Sequence, residues 1–226
     1  MPKKRSDIDN PIFNDNRSYD FSHEDFYIRS EFKIISNWIK KDSTVIDLGC
    51  GNGSLIKYLN DNKGIIAKGV EISQSGVDSC SKNGFNVKQG EIDKIETYKE
   101  YANNQFDFSV CNVTIQMVNY PEVLIKEMSR ISRYQIISFP NFAYFENRLD
   151  LLLNGIMPRP MPHKYSWFNT GHIHQLSNRD FKNFCKQNGI RIIKQAHLGC
   201  FKKIANLIWP NFFSKESIFL CEKYDL

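Results

Sequence analysis

The 226-residue chain lacks three features that would place it outside the cytoplasm. It has no apolar run of membrane-spanning length and no apolar signal-peptide core near its first residue. Its six cysteines, at positions 50, 80, 111, 185, 200 and 221, are scattered and form no C-x-x-C pair. Dispersed cysteines of this kind behave as small apolar residues in a reducing compartment, so we expect a cytoplasmic protein. We predict no metal site and no membrane partner.

The chain also lacks a basic stripe, a recognisable RNA-binding module and any internal repeat. Its 30 Lys and Arg against 25 Asp and Glu give a net charge of +5, spread along the sequence. We therefore predict no nucleic-acid partner, whereas a mildly basic surface suits a small anionic substrate. A hydrophobic content of 41% provides a sizeable core, and the length fits one α/β domain with an insertion.

The most informative stretch runs from Val45 to Gly53 and reads V-I-D-L-G-C-G-N-G. An apolar strand ends in an acid, glycines follow at alternate positions, and a helical pattern begins at Ser54. Glycines let the backbone turn sharply beside a ligand, and the following helix offers free N–H groups to it. The spacing is not the G-x-G-x-x-G of dinucleotide-binding folds. The D-x-G-x-G-x-G pattern resembles the first motif of class I S-adenosylmethionine methyltransferases.

Strand and helix patterns alternate from this stretch to residue 139. Such alternation predicts an α/β, Rossmann-like fold with a mostly parallel sheet and helices on both faces. The resemblance implies seven strands with an antiparallel edge strand. We place an N-terminal arm at 1–22 and one methyltransferase domain at 23–226, with a substrate-covering loop at 156–176. Helices are predicted to begin after Ser22-x-x-Asp25 and Ser177-x-x-Asp180, both capping boxes, and to span Asn141–Leu153.

The resemblance implies a cofactor site for S-adenosylmethionine at the carboxyl ends of the strands. Glu71, after the second strand, is expected to accept both ribose hydroxyls. Asp47 is expected to order the glycine turn or to reach the amino group of the cofactor through water. Glu91 is expected to accept from the adenine amine, with Asp93 as a rival. The other residues predicted to line the cofactor are Gly49, Cys50, Gly51, Gly53, Ile72, Gly90, Ile92, Asn112, Val113 and Gln116.

Two residues before the glycine turn are candidates for the same site. Tyr19, in the arm, is placed to cover the cofactor, and Arg29 could hold its carboxylate through two hydrogen bonds. The alternative for each is a structural role, as a core tyrosine or a surface arginine.

The second half of the chain resembles a narrower family. S-F-P-N-F at 138–142, then N-R-L with L-L-L-x-G-x-M-P from 147 to 158, are followed by W-F-N-T at 167–170. With the glycine turn, these motifs are similar to the MetW family of methionine biosynthesis over roughly residues 28–197. MetW proteins have the methyltransferase fold and are partners of homoserine acyltransferases. MetW-like methyltransferases also occur in capsular polysaccharide loci linked to O-methyl phosphoramidate.

Two functions remain open at this point. The first is a methyltransferase, an O-methyltransferase on a small polar or phosphorylated acceptor in capsule biosynthesis. The second is a MetW-like partner of a homoserine acyltransferase that transfers no methyl group itself. For a hydroxyl acceptor the candidate catalytic residues are His163, His172, His174 and Tyr165. For an anionic acceptor the candidate binding residues are Arg148 and Lys164.

Overall fold

The computed structural model describes residues 21, 25–158, 167, 170–199 and 208–223. The predictions for Tyr19, His163, Lys164 and Tyr165, and for most of the arm, lie outside these residues. Within them the chain forms one seven-stranded sheet with helices on both faces. The strands are β1 Val45–Leu48, β2 Lys68–Glu71, β3 Asn86–Gln89, β4 Phe106–Asn112, β5 Ser132–Pro140, β6 Ile190–Leu198 and β7 Glu216–Lys223.

The main helices are α1 Ser30–Trp38, α2 Ser54–Lys63, α3 Gln74–Lys82, α4 Pro121–Ile131, α5 Phe145–Leu149 and α6 Asn178–Gln187. Short 3₁₀ turns occupy Ile95–Tyr98 and Ile115–Met117, and a helical turn lies at Pro210–Phe213. A π-helical turn, Asp150–Asn154, continues α5.

The sheet order is β3-β2-β1-β4-β5-β7-β6, and only β7 runs against its neighbours. This confirms the predicted Rossmann-like fold, with the reversed strand one position in from the edge. The order changes direction between β1 and β4, so a crevice opens above their carboxyl ends. The glycine turn follows β1 directly at this crevice.

Two apolar layers enclose the sheet. One packs α1, α2 and α3 against it, around Phe32, Ile35 and Leu59. The other packs α4 and α6 around Met128 and Phe181. Side chains alternate along a strand, and Val45, Val110, Ile136 and Ile218 belong to the layer that contains α1. Polar residues at or near the ends of five neighbouring strands therefore lie on the α1 side: Glu71, Asp47, Asn112, Ser138 and, at the start of the reversed β7, Glu216.

Two helix predictions need correction. The first helix begins at Ser30 with Arg29 as its N-cap, and residues 25–29 are not helical. The apolar spacing of Phe26 with Phe32 suggested an earlier start, but Phe26 packs against Phe85 instead. The helix predicted over Asn141–Leu153 begins only at Phe145, because Asn141 is drawn into hydrogen bonds with Ser214 and Asn211.

The capping box Ser177-x-x-Asp180 is formed as predicted, with reciprocal bonds between the two residues. Among the described helices, none combines the length and apolar character needed to cross a membrane.

Candidate active site

The glycine turn takes a backbone path that other residues adopt only under strain. Gly49, Gly51 and Gly53 have φ values of 81°, 57° and 82°. The N–H groups of Gly49 and Cys50 both donate to the Val70 carbonyl at 2.8 and 3.2 Å, which fixes the turn against β2. A Cβ on Gly49 would lie 2.6 Å from Cγ2 of Thr114. The β4 end therefore closes on the turn, and Thr114 is a site residue that the sequence did not single out.

Glu71 braces the same turn from the end of β2. Its Oε2 accepts from Gly51 N at 2.8 Å and its Oε1 from Ser73 N at 2.9 Å. The side chain is buried. A carboxylate has about four acceptor sites, and Glu71 uses one on each oxygen for these two backbone N–H groups.

Asp47, in β1, is the acid that precedes the glycine turn. It is buried, and its Oδ1 has no hydrogen-bond partner among the described residues. Burial, and then the nearby Glu71 carboxylate, raise the pKa of Asp47 to about 7. A buried acceptor without a donor is costly, so Asp47 is suited to receive one from a ligand.

The end of β4 carries backbone strain. Val113 has a φ of 53°, which is rare for a β-branched residue. Its N–H donates to Ser138 Oγ at 2.9 Å and to the Ser138 carbonyl at 3.1 Å. Ser138 Oγ also donates to Asn112 Oδ1 at 2.7 Å. Strain held in this way is typical of functional sites, and it supports the prediction that Asn112 and Val113 face a ligand.

Replacing Ser138 with alanine should therefore destabilise the protein. The change leaves Asn112 Oδ1 and Val113 N with fewer partners, at a cost of about 1–3 kcal/mol. The matched control is Ser129→Ala on α4, because the Ser129 hydroxyl is buried with no partner in the described structure. We expect that variant to be neutral or slightly more stable. Urea unfolding of both variants measures the difference, and equal losses would contradict the role given to Ser138.

The two candidates for the adenine amine have different surroundings. Asp93 is buried, and its Oδ2 accepts from Asn119 N at 2.7 Å and Tyr120 N at 3.1 Å, so it fixes the start of α4. Glu91 is exposed at the end of β3. The side chain of Ile92 packs in the core, whereas Ile72 is 40% exposed. The side chains of Glu91 and Ile72 are thus accessible to an adenine ring near the ends of β2 and β3. Gly90 donates its N–H to the Glu71 carbonyl.

Arg29 is already engaged in an ion pair near the end of β4. Its Nε pairs with Glu31 Oε1 at 2.5 Å, and Asn112 Nδ2 donates to the same oxygen at 3.2 Å. Glu216, at the start of β7, faces this pair, and its Oε1 is buried without a partner among the described residues. Burial, and then Glu31, raise the pKa of Glu216 to about 8. Neither glutamate was predicted, because their pairing joins segments that are remote in sequence.

The two described histidine candidates, His172 and His174, lie beside Gln116. The Gln116 carbonyl accepts from Ile173 N and His174 N at 2.9 and 3.0 Å, and its Nε2 lies 3.5 Å from His172 Nε2. Gln116 Oε1 and His174 Nε2 are buried without partners in the described part of the chain. Gln116 therefore joins the loop at 170–176 to the end of β4, while its contact with a cofactor stays a prediction.

Arg148 holds structural contacts. Its Nε donates to the Ala143 carbonyl at 2.6 Å and its Nη2 to the Asn211 carbonyl at 3.4 Å. The guanidinium also lies over the Phe212 ring. These contacts join α5 to the turn before β7, so an acceptor would have to share a guanidinium that is already engaged.

The comparisons with known proteins agree with this geometry. The profile of the family described as "Methionine biosynthesis protein MetW" matches residues 29–221. A bifunctional methionine biosynthesis protein MetXA/MetW of Rhodopirellula baltica is 31% identical over 155 residues, which are 65% of this chain and 25% of that protein. The chain thus spans about a quarter of that relative's length.

Solved structures of S-adenosylmethionine-dependent methyltransferases share the fold. One from Mesorhizobium loti has a TM-score of 0.64 and 13% identity, covering 86% of this chain and 98% of that one. One from Archaeoglobus fulgidus has a TM-score of 0.62 and 16% identity, covering 86% and 92%. The chain therefore has the fold of S-adenosylmethionine-dependent methyltransferases, and it belongs to the MetW family.

Proposed function

We propose that the protein binds S-adenosylmethionine above β1, β2 and β4 and transfers its methyl group to a small polar acceptor. The observation that carries this proposal is the pairing of the positive-φ glycine turn with the buried Glu71 carboxylate that braces it. The unsatisfied Oδ1 of Asp47 lies at the same strand ends. The polar groups of this cofactor fit three features of the site. These are the backbone N–H groups of the turn, the Glu71 carboxylate for the ribose, and the Asp47 oxygen, which can accept a hydrogen bond.

Different residues would bind different parts of the cofactor. Glu71 would hold the ribose and Glu91 the adenine amine, while Asp47 would receive the amino group of the methionine part. Arg29 would hold its carboxylate by exchanging part of its contact with Glu31. When bound, the cofactor supplies a methyl group on a positively charged sulfur. The chain then has to align an acceptor with that methyl and exclude water, which is where much of the rate arises.

Binding and turnover test this proposal separately. Calorimetry with S-adenosylhomocysteine measures whether the cofactor site exists. A screen of hydroxylated and phosphorylated metabolites for release of S-adenosylhomocysteine then measures transfer. Binding without any turnover would support the second candidate function below.

The acceptor class is expected to appear in the pH profile of the best substrate. A hydroxyl acceptor needs a base, for which His172 and His174 are the described candidates. A histidine base in general makes a rate rise through about pH 6–7. A phosphoryl acceptor, such as a phosphoramidate of a capsular polysaccharide, is already anionic and should show little change there. Either His172→Gln or His174→Gln should remove the rise in the first case, and both should leave the rate nearly unaltered in the second. A rise that survives in both His172→Gln and His174→Gln would exclude these histidines as the base.

A second candidate function is that of a protein partner. Four leucines at the end of α5 and in the π-helical turn are more than two-fifths exposed, with Leu152 at 79% and Leu153 at 71%. Apolar side chains grouped in this way are typical of interaction surfaces. The relative from Rhodopirellula baltica carries MetXA and MetW in one protein. Co-purification with a homoserine acyltransferase that depends on Leu152 and Leu153 would support this function.

A further inference from the structure

Residues 25–29, which we call the lead-in segment, lie against the glycine turn and the first turn of α2. Asn52 Nδ2 donates to the Asp25 carbonyl at 3.2 Å. Tyr27 N donates to Ser54 Oγ at 3.3 Å. Both contacts bring backbone of the lead-in segment to side chains of the turn, so they depend on the turn residues and not on the lead-in side chains.

One buried side chain organises both contacts. Asn52 is 2% exposed, and its Oδ1 accepts from Ser54 N at 3.2 Å and from Ser54 Oγ at 2.7 Å. The N-cap of α2 is Gly53, which has no side chain, so Asn52 caps the helix in its place. Because the Ser54 hydroxyl donates to Asn52, its lone pairs are left to accept from Tyr27. The amide of Asn52 thus faces the helix with its oxygen and the lead-in segment with its nitrogen.

The lead-in segment continues to the other end of the crevice. Arg29 follows it and pairs with Glu31, which Asn112 contacts at the end of β4. On the near side, Phe21 N donates to Ser75 Oγ at 3.0 Å. A Cβ on Gly51 would lie 3.3 Å from the Phe21 ring. The described residues before α1 therefore border the strand ends from the Glu71 side to the Asn112 side.

We propose that Asn52 is a positioning residue that couples the lead-in segment to the glycine turn, so that the docked segment and a cofactor on the turn stabilise each other. This inference rests on the proposed cofactor. Coupling of this kind is reciprocal in binding free energy: the cofactor should order residues 25–29, and losing their attachment should weaken cofactor binding. Because affinity losses among variants of one site appear mainly in the dissociation rate, we expect faster release. Helix capping alone predicts neither effect.

The test compares Asn52→Asp with Asn52→Ala. Aspartate caps a helix as well as asparagine, so it keeps the acceptor for Ser54 but loses the donor for Asp25. Alanine loses both. Asn62→Ala is the matched control, because Asn62 Nδ2 donates to the Tyr58 carbonyl on the same helix without reaching the lead-in segment. The measurements are the dissociation rate of S-adenosylhomocysteine and the hydrogen exchange of a peptide covering residues 25–29, in the full chain with and without this ligand.

We expect both Asn52 variants to release S-adenosylhomocysteine about three to ten times faster, as for one lost hydrogen bond, and to lose ligand-induced protection of residues 25–29. The control should match the wild type. Wild-type rates and protection in Asn52→Asp would reduce Asn52 to a helix cap and overturn the inference. Faster release with unchanged protection would also overturn it, since the effect would then come from the new charge. If the wild-type protein binds no S-adenosylhomocysteine, the proposed function itself fails.

Discussion

Replacing Asp47 with asparagine is expected to stabilise the protein at pH 8 and to weaken its binding of S-adenosylmethionine. Burial and Glu71 raise the pKa of Asp47 to about 7 in the folded state, whereas an unfolded aspartate titrates near 3.9. Between these values the folded protein binds more protons than the unfolded chain, so this group lowers the free energy of unfolding as pH rises. Above the folded-state pKa, Asp47 is ionised in both states, and the loss in free energy of unfolding that it causes has reached its full size.

The expected gain for Asp47→Asn is about 1–3 kcal/mol at pH 8. It is small at pH 4, where the folded aspartate is neutral and the unfolded one is only about half ionised. Urea unfolding at the two pH values measures it. Asp61→Asn serves as control, because Asp61 is exposed and pairs only with Lys57 four residues earlier among the described residues. An equal loss of stability at both pH values would show that the Asp47 carboxyl has a partner that asparagine cannot replace.

The same variant should bind cofactor less well. An ionised Asp47 would accept from the cationic amino group of S-adenosylmethionine, and losing such a charge-assisted bond costs about tenfold or more in affinity. In the wild type, binding should also strengthen from pH 5.5 to 7.5 as Asp47 loses its proton. Calorimetry across this range should show that dependence in the wild type and a flatter profile in Asp47→Asn.

Replacing Glu71 with glutamine is expected to reduce affinity for S-adenosylhomocysteine by at least tenfold. Each Glu71 oxygen accepts a backbone N–H, from Gly51 and from Ser73. A glutamine would turn an NH₂ group towards one of these donors, so the glycine turn would lose its brace. The ribose hydroxyls would lose charge-assisted bonds worth about 1.5–3 kcal/mol each.

Comparing the binding affinity of adenosine with that of adenine measures how much the ribose contributes to binding. The wild type should prefer adenosine, and Glu71→Gln should lose most of that preference. Glu96→Gln, an exposed change on a 3₁₀ turn, is the control and should bind as the wild type does. If Glu71→Gln still prefers adenosine by the wild-type factor, Glu71 does not hold the ribose and serves only the turn.

The sequence predicted the sheet and the glycine turn well, because both depend on patterns among neighbouring residues. Alternating strand and helix patterns predicted the mostly parallel sheet, and the D-x-G-x-G-x-G motif located the turn at which the glycines have positive φ. The two misplaced helix starts had another cause. Phe26 and Asn141 found partners in Phe85 and Ser214, far along the chain, and tertiary contacts overrode local spacing.

The sequence by itself thus determined the family, the fold class and the strand ends at which a ligand would sit, since backbone conformation and apolar periodicity are written in neighbouring residues. Only the tertiary structure decided how the acids at those ends differ. Glu91 is open to solvent and Asp93 is used by a loop, while Glu31 and Glu216 meet from segments 185 positions apart in the numbering. Desolvation and hydrogen-bond partners set the chemistry of each carboxylate, and both arise only when remote segments pack together.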